Sequence, residues 1–416
     1  MQIPASSVES APRRAEIAVV AVMGLGFGLV GIDRFLISTM FPTIAHDLHL
    51  NYADIGTITG ALAVAWGISA LVMGNMSDRV GRRRVLVGSL IVFSLLIGAS
   101  GLAAGLAGLV MVRIVMGAAD GAYTPASIAA TMEASPPQRH GLNIGIQQMM
   151  LPLCGLGLSP LLVAGLLNVI NWRHVFLIFV IPGLALAYVV YRVMPASAPS
   201  VSPAEERAAR SSFKDWAAVL SVRNIKVAAV MMLCWLTCLI TTSAFMPNYL
   251  IDYLKLSFGT MSSVMSAIGL GATAGTLLLP WLSDQWGRKP VMALCTLGAL
   301  ASLIALTNCA ASFWPLFGSL FCVHFFNNAL ITLTVGPVCL ESVPAMLAAT
   351  ASGLVIAIGE LLGGGLAPAL VGQIAEHFGV ANVLVLPIGA MGLGLLLTVL
   401  LRETRLRPAS GTSMAH

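Results

Sequence analysis

Twelve apolar stretches, each long enough to cross a lipid bilayer, dominate this sequence. Six lie near 16–43, 53–75, 84–105, 106–133, 141–169 and 174–194, and six more near 226–252, 258–282, 290–309, 312–340, 347–375 and 380–401. A helix needs about 20 apolar residues to cross a hydrocarbon layer of ~30 Å. In lipid, only helices and closed barrels satisfy their own backbone hydrogen bonds. Because the stretches have helix length, the sequence predicts an all-α, polytopic membrane protein with twelve transmembrane helices.

The composition fits a membrane protein and excludes several other classes. Hydrophobic residues make up 58% of the 416 residues and charged residues only 9%, unlike the composition of a soluble domain. We find no nucleophile elbow, phosphate-binding loop or spaced cluster of metal ligands, and therefore expect no enzyme, no metal site and no cofactor. The net charge of +5 lies mostly in short loops, which argues against a nucleic-acid partner.

The distribution of lysine and arginine predicts the orientation in the membrane. Cytoplasmic loops retain these residues, and with both termini inside, 18 of the 22 lysines and arginines lie on the cytoplasmic side. Arg173 and Lys255 fall outside, and Arg34 and Arg113 fall within predicted helices. We therefore expect a multi-pass protein with both termini in the cytoplasm. Because no organellar targeting signal is visible, we expect the protein to lie in the inner (cytoplasmic) membrane of a bacterium. We also expect a monomer.

A polar segment divides the twelve stretches into two sets of six. Residues 195–225 are rich in Pro, Ala, Ser and charge, and they predict a cytoplasmic linker with an interfacial helix near 213–220. The halves are then an N-terminal six-helix bundle over 1–194 and a C-terminal six-helix bundle over 226–402. A cytoplasmic tail over 403–416 completes the chain.

The two halves share a short polar motif. The loop GNMSDRVGRRRVL, over 74–86, recurs between stretches eight and nine as LSDQWGRKPV. Asp284 and Gly287 of the second copy lie 206 positions after Asp78 and Gly81 of the first. Since this offset is close to half of the chain, we interpret the sequence as one unit of about 200 residues repeated, which predicts two pseudo-symmetric bundles.

The duplication reappears in helices five and eleven. Three pairs of residues match at an offset of 208: Gly145 and Gly353, Gly155 and Gly363, and Pro160 and Pro368. Small residues let helices approach closely in lipid, and proline permits a bend. We expect these two helices to form the moving seam between the halves.

The motif, its copy, the turn Asn171-Trp172-Arg173 before helix six and the layout of six plus six helices resemble the major facilitator superfamily. The resemblance implies that two halves rock about a central site and expose it alternately to each side of the membrane. It also implies a gating role for residues of the two motifs: Gly74, Asp78, Arg79, Gly81, Arg82, Asp284, Gly287 and Arg288.

The resemblance implies one specific contact for the first motif. Asp78 is expected to meet Arg82 and the N-terminal end of helix eleven, near 347–353, because the helix dipole favours a carboxylate there. This contact would latch the outward-facing state. The alternative, chiefly for Arg83 and Arg84, is that the arginines only hold the topology.

Five charged residues lie within predicted helices: Asp33, Arg34, Arg113, Asp120 and Glu360. A charge in the middle of a span costs at least ~2.5 kcal/mol, so such residues usually face a cavity, pair with one another and mark function. Arg113 and Asp120 are seven residues apart, which is two helical turns, and therefore share a helix face.

Two of these segments resemble the anion:cation symporter branch of the superfamily. They are GIDR, which ends at Arg34, and RIVMGAADGAYTP, which begins at Arg113. The branch includes proton-coupled carriers of sugar acids, in which the residue matching Asp120 is usually glutamate. This sequence therefore keeps the carboxyl group and shortens its reach by one methylene.

The chemistry of these residues suits an anion carrier. An organic anion in a cavity of low dielectric needs a cationic partner, and the guanidinium groups of Arg34 and Arg113 offer a planar fork for a carboxylate. Coupling to protons needs carboxyl groups that are neutral in one state and ionised in another, and Asp33 and Asp120 are the candidates. We hypothesise that protonating both aspartates frees the arginines for substrate. The alternative is a static network of ion pairs that ties helices one and four together.

Other candidate positions carry weaker signals. By the resemblance, Trp66 faces the substrate. Six polar residues of the second half could form hydrogen bonds to a ligand: Thr241, Asn327, Asn328, Thr237, Thr242 and His324. Packing, or hydrogen bonds between helices, explains each of them equally well. For Glu360 we keep four roles open: a second proton site, a partner for His324, a gate, or a protonated structural acid.

The function expected from these residues is proton-coupled uptake (symport) of a small organic carboxylate, driven by the proton gradient. A proton-driven antiporter that exports drugs or metabolites is the alternative, although it has less need for two arginines inside the membrane. A transport-dead sensor would need a signalling region longer than the tail after Arg402, and a channel would need a pore ring. The apolar second half fits an aromatic or aliphatic carboxylate at least as well as a sugar acid.

Overall fold

The computed structural model describes residues 13–194, 213–344 and 347–404, and the side chains at 72–80, 137, 213–215 and 348–349 lie outside that description. Every regular element within the described ranges is a helix, and twelve of these helices are long and apolar enough to cross a membrane. The predicted all-α fold with twelve transmembrane helices is therefore confirmed.

The helices follow the predicted stretches closely. The first six are α1 (Arg13–Leu48), α2 (Tyr52–Val80), α3 (Arg82–Ser100), α4 (Leu106–Ala134), α5 (His140–Leu167) and α6 (Trp172–Val193). The last six are α7 (Arg223–Tyr253), α8 (Phe258–Trp286), α9 (Arg288–Thr307), α10 (Phe313–Ser342), α11 (Thr350–Phe378) and α12 (Val380–Leu400). A linker helix, Phe213–Ser221, precedes α7 where the sequence predicts an interfacial helix.

The polar motif and its copy are not loops, which corrects the sequence interpretation. Residues up to Val80 continue α2, and α3 begins at Arg82, so a single residue separates the two helices. That residue is Gly81, with φ of 95°, and its counterpart Gly287, with φ of 100°, separates α8 from α9. L-residues with a side chain rarely adopt these φ values, so glycine is needed to reverse the chain within one residue.

The packing repeats as the duplicated sequence predicts. In the first half α2 packs against α4 and α1 against α5, and in the second half α8 packs against α10 and α7 against α11. Two pairs of long helices then join the halves, α2 with α11 and α5 with α8. Helices five and eleven therefore do lie at the seam.

Glycines bring the backbones together at the seam. A Cβ atom on Gly60 of α2 would overlap the carbonyl group of Gly365 in α11, and one on Gly269 of α8 would overlap the backbone of Gly157 in α5. Such contacts are typical of helices that associate in lipid without a hydrophobic driving force. The seam is accordingly a close backbone contact rather than a layer of large side chains.

The matched glycines Gly155 and Gly363 do not pack across the seam. Gly155 packs against Gly31 of α1, and Gly363 packs against the carbonyl group of Leu233 in α7. These contacts lie within one half each. At the other matched glycine pair, Gly145 and Gly353, no atom lies within 4 Å of the position that a Cβ would take.

Four spans contain a π-helical segment: Leu153–Leu158 in α5, Tyr249–Tyr253 in α7, Thr334–Val338 in α10 and Gly359–Leu366 in α11. A proline lies within or beside each segment, as Pro152, Pro247, Pro337 and Pro368. Proline lacks a backbone N–H and disturbs the regular hydrogen-bond pattern, and π-helical turns are frequent at functional sites.

Candidate functional site

A buried ion pair joins the two halves at the centre of the protein. Nη1 and Nη2 of Arg34 donate to Oε1 and Oε2 of Glu360 over 3.2 and 2.7 Å. Both side chains are 8% exposed. Arg34 belongs to α1 and Glu360 to α11, so the contact connects positions 326 residues apart. This finding settles the partner of Glu360 in this conformation, and it is not His324.

An aromatic side chain completes the surroundings of Arg34. The guanidinium carbon lies 4.5 Å from the centre of the Trp66 ring and 5.8 Å from that of Phe35. A guanidinium over an indole face is attracted by the electrons of the ring. Trp66 therefore lies beside Arg34, and its predicted contact with substrate stays a prediction.

Small residues make room for this ion pair. A Cβ on Gly31, one turn before Arg34, would overlap the backbone of Leu151 in α5, so only glycine allows α1 to lie this close. A Cβ on Gly364 would lie 2.7 Å from Oε2 of Glu360, and one on Gly67 of α2 would lie 3.3 Å from the Cβ of Glu360. Glu360 thus occupies a space that its glycine neighbours leave open.

A second charged group lies next to the first, between α1 and α4. Nη1 of Arg113 donates to the backbone oxygen of Asp33 over 2.7 Å and lies 3.7 Å from Oδ1 of the same residue. Arg113, Asp33 and Asp120 are all buried. Arg113 and Asp120 both interact with Asp33 of α1, which agrees with the prediction that they share one helix face.

The two aspartates lie side by side. Their side chains are close enough to hydrogen-bond to each other when one of them carries a proton. Among the described residues, no donor forms a hydrogen bond to the carboxylate oxygens of Asp33 or Asp120. Two buried carboxylates in contact repel each other and cannot both remain ionised without cost. The arrangement is therefore suited to holding a proton.

Arg34 and Arg113 share one cavity. Its lining includes both arginines, Ser38 and Thr59, and from the second half Ile240 and Ala244 of α7. The cavity holds about 10 Å³, which is the space of a single water molecule. In this conformation Glu360, rather than an open volume, occupies the cationic fork of Arg34.

The other predicted polar residues face their own half. The Thr241 hydroxyl donates to the carbonyl oxygen of Thr237, the Asn328 amide to that of His324, and the Asn327 amide to that of Trp235. His324 pairs with Thr242 over 3.1 Å. Of this group, Thr237 and Asn327 each retain a buried oxygen without a described partner.

Two residues predicted to take part in gating, Asp284 and Arg288, belong to an ion-pair cluster in the second half. Arg288 bonds to Asp284 over 2.5 Å and to Glu341 over 2.8 Å, and its Nη1 donates to the Ser283 hydroxyl over 2.6 Å. In the first half Arg82 pairs with Glu133. The side chains of Gly74, Asp78 and Arg79 lie outside the described residues, so the contact expected for Asp78 stays a prediction.

Sequence reasoning missed the glutamates of these clusters. Glu341 lies 208 positions after Glu133, the same offset as the matched glycines, and each pairs with the arginine of its own motif. A search for charged residues at that offset would have found both.

Sequence reasoning also missed a cluster at the end of the bundle where α2 begins. The Tyr52 hydroxyl donates to Oδ2 of Asp252 over 3.0 Å, and the Asn248 amide donates to the same oxygen over 2.9 Å. The backbone N–H of Tyr52 donates to Glu376 over 3.2 Å. We call these four residues the Tyr52 latch, because they tie α2 of the first half to α7 and α11 of the second.

The sequence is similar to a family of membrane transporters. The family model described as Major Facilitator Superfamily matches residues 23–354 and 240–415. The 3-(3-hydroxy-phenyl)propionate transporter of Escherichia coli K12 is 28% identical over 91% of this chain and 93% of its own length. The probable L-galactonate transporter of the same organism is 25% identical over 78% of this chain and 77% of its own length.

Solved structures show the same fold. A bacterial homologue of the human lysosomal transporter Spinster, in an inward-facing and unoccupied conformation, superposes with a TM-score of 0.77 at 17% identity. The match covers 96% of this chain and 100% of that one.

Proposed function

The chain belongs to the Major Facilitator Superfamily, and on that premise we propose that this membrane transporter takes up a small organic carboxylate together with protons by alternating access. The observation that carries the proposal is the position of Arg34. Its guanidinium is buried, lies at the contact between the two halves, and holds a carboxylate in both arms of its fork. A site that binds the carboxylate of Glu360 in this way has the geometry to bind that of a substrate.

The second arginine supports an anionic substrate. Arg113 lines the same cavity as Arg34, so two guanidinium groups are available to an anion once the neighbouring carboxyl groups are protonated or displaced. An exporter of lipophilic cations has less need for two such groups. The apolar residues Ile240 and Ala244 on the opposite wall suit the hydrocarbon part of an organic acid.

The paired aspartates support proton coupling. Asp33 contacts Arg113 and lies beside Asp120, so a proton gained or lost by the pair changes the charge that Arg113 faces. We propose that this pair takes up its proton before substrate binds, which frees Arg113, and that it releases the proton after inward opening. The proton gradient is then the energy source, and no cofactor takes part.

The position of the closed end supports one assignment of this conformation within the transport cycle. The Tyr52 latch closes the end of the bundle that the lysine and arginine distribution assigns to the outside. We therefore propose that this is an inward-facing state, and that the clusters around Arg82 and Arg288 take part in closing the other end. We place the protein as a monomer in the cytoplasmic membrane of a bacterium, with both termini inside.

The proposal is tested by uptake into proteoliposomes driven by an external acid pulse, with a pH-sensitive dye inside. The panel contains 3-phenylpropionate and D-galactonate, which represent aromatic and sugar acids as the named relatives do. Dye acidification that appears only with one of these anions supports symport and identifies the substrate class. Absence of any anion response, together with proton exchange against lipophilic cations, would replace the proposal with drug export.

A further inference from the structure

We propose that Glu360 is the resident anion of the substrate site: it occupies the fork of Arg34 when no substrate is bound, and a substrate carboxylate replaces it only as Glu360 takes up a proton. The inference rests on the proposed function and assigns to one residue the proton that accompanies binding. It differs from the role of Asp33 and Asp120, which face Arg113.

The geometry makes substrate and Glu360 mutually exclusive. Both outer nitrogens of Arg34 donate to Glu360, one to each carboxylate oxygen. A substrate carboxylate needs the same two donors for a bidentate contact. The adjoining cavity of about 10 Å³ has no room for a second carboxylate. The first substrate contact with Arg34 therefore requires that Glu360 leaves the fork.

The residues around Glu360 determine whether its carboxyl group is ionised or protonated when it moves away from Arg34. Around its segment α2 contributes Ala63 and Gly67, and α7 contributes Met232 and Leu236. Arg34 of α1 is the charged group in contact with Glu360 among the described residues. An ionised carboxylate displaced into these apolar neighbours would be a buried charge without a partner, which is strongly unfavourable. A proton removes that charge.

Another carboxyl group acts on the same arginine. Asp120 also interacts electrostatically with Arg34, but the bidentate partner of the guanidinium is Glu360. Charge is balanced in the exchange, because one carboxylate anion and one proton enter and the substrate carboxylate replaces the ionised Glu360 carboxylate at the guanidinium. The inference therefore predicts one proton bound with each carboxylate, before any movement of the halves.

Because Glu360 lies between the two halves, this exchange changes the contact between them. The ion pair runs from α1 in one half to α11 in the other. When substrate replaces Glu360, this direct ionic connection between the halves is lost. Binding of substrate and proton thus removes an ionic contact between the halves, and the contact reforms once both have left the site.

The test measures protons taken up on binding. Purified full-length protein in weakly buffered detergent at pH 8 is titrated with 3-phenylpropionate and, separately, with D-galactonate, and a pH indicator and radiolabelled ligand are read together. We expect one proton per carboxylate bound for the wild type, and weaker binding as the pH rises. Glu360→Gln is expected to bind without proton uptake and with a flat pH profile. Glu16→Gln is the matched control, because Glu16 is also a buried glutamate paired with an arginine, Arg139, and this variant should keep proton uptake on binding.

The outcomes separate the inference from the proposed function. A wild-type pH profile in Glu360→Gln, or loss of the binding proton in Glu16→Gln as well, would overturn the inference and leave carboxylate transport standing. Absence of binding of either carboxylate to the wild type would overturn both. If Glu360→Gln is not monodisperse, infrared difference spectra of the wild type replace it. Binding must then produce a carboxylic acid band, and a spectrum without one contradicts the inference.

Discussion

Nη2 of Arg34 lies 2.7 Å from Oε2 of Glu360, and this contact crosses from α1 in the first half of the protein to α11 in the second. An ion pair buried between two domains stabilises one arrangement of them only while both partners remain charged. The pair therefore makes the arrangement of the halves depend on the charge of one carboxyl group.

Replacing Arg34 by lysine tests whether its fork binds substrate. Lysine keeps the charge but loses the planar pair of donors, and a charge-assisted hydrogen bond is worth about 1.5–3 kcal/mol. We expect the KM for carboxylate uptake to rise roughly 10–100-fold, measured as initial rates in proteoliposomes. Arg83→Lys is the control, because Arg83 lies over Tyr191 and away from the cavity. An unchanged KM in Arg34→Lys would favour the export alternative.

Asparagine at position 33 or 120 tests proton coupling. The amide keeps the size of the carboxyl group but cannot carry its charge. We expect each variant to exchange labelled for unlabelled carboxylate across the membrane and to lose accumulation against a gradient. Measurement of counterflow and of acid-driven accumulation on the same vesicles separates the two activities. Continued accumulation would show that the Asp33 and Arg113 pair is only a static tie between α1 and α4.

The backbone contact between Gly157 and Gly269 predicts the effect of a larger side chain at the seam. In Gly269→Val the new side chain overlaps α5, and overpacking of this kind costs about 1–3 kcal/mol. We expect a lower thermal unfolding temperature and slower transport. Gly259→Ala is the matched control on the same helix, because no atom lies within 4 Å of the position of its Cβ. Equal stability of the two variants would contradict the close seam.

The Tyr52 latch predicts a shift in the conformational equilibrium. Tyr52→Phe removes the hydrogen bond to Asp252, and a loss of about 1 kcal/mol corresponds to roughly a fivefold change in an equilibrium constant. We expect faster labelling of a cysteine at position 38, which lines the cavity, by an impermeant maleimide added outside. The background lacks the native cysteines. Tyr253→Phe should label at the wild-type rate, since the structure describes no hydrogen bond of its hydroxyl.

The sequence predicts the fold almost completely because lipid leaves few alternatives. An apolar stretch of about 20 residues has to form a helix to satisfy its backbone, so the number and order of the spans follow from hydropathy. Charges inside these spans are costly, and the sequence therefore indicates Asp33, Arg34, Arg113 and Asp120, which the structure brings together in one buried cluster.

Contacts between distant positions were beyond the reach of that reasoning. The sequence shows that Glu360 is a charged residue within a span, but its partner depends on how α11 lies against α1. Tyr52 and Asp252 lie at helix ends, where polar residues are ordinary and give no signal. The motif at 74–86 was interpreted as a loop because its charges cluster, whereas one glycine suffices to turn the chain.

The π-helical segment Gly359–Leu366 lies in the middle of α11 and carries Glu360. A π-helical turn holds one residue more than an α-helical turn, and one residue corresponds to about 100° of rotation in an α-helix. If the segment tightened to regular α-helix, the two ends of α11 would twist relative to each other by that angle. Helix α2 contacts α11 on both sides of the segment, so this twist would shift one end of α11 against the first half. The form of a single segment therefore sets how the two ends of α11 lie against α2.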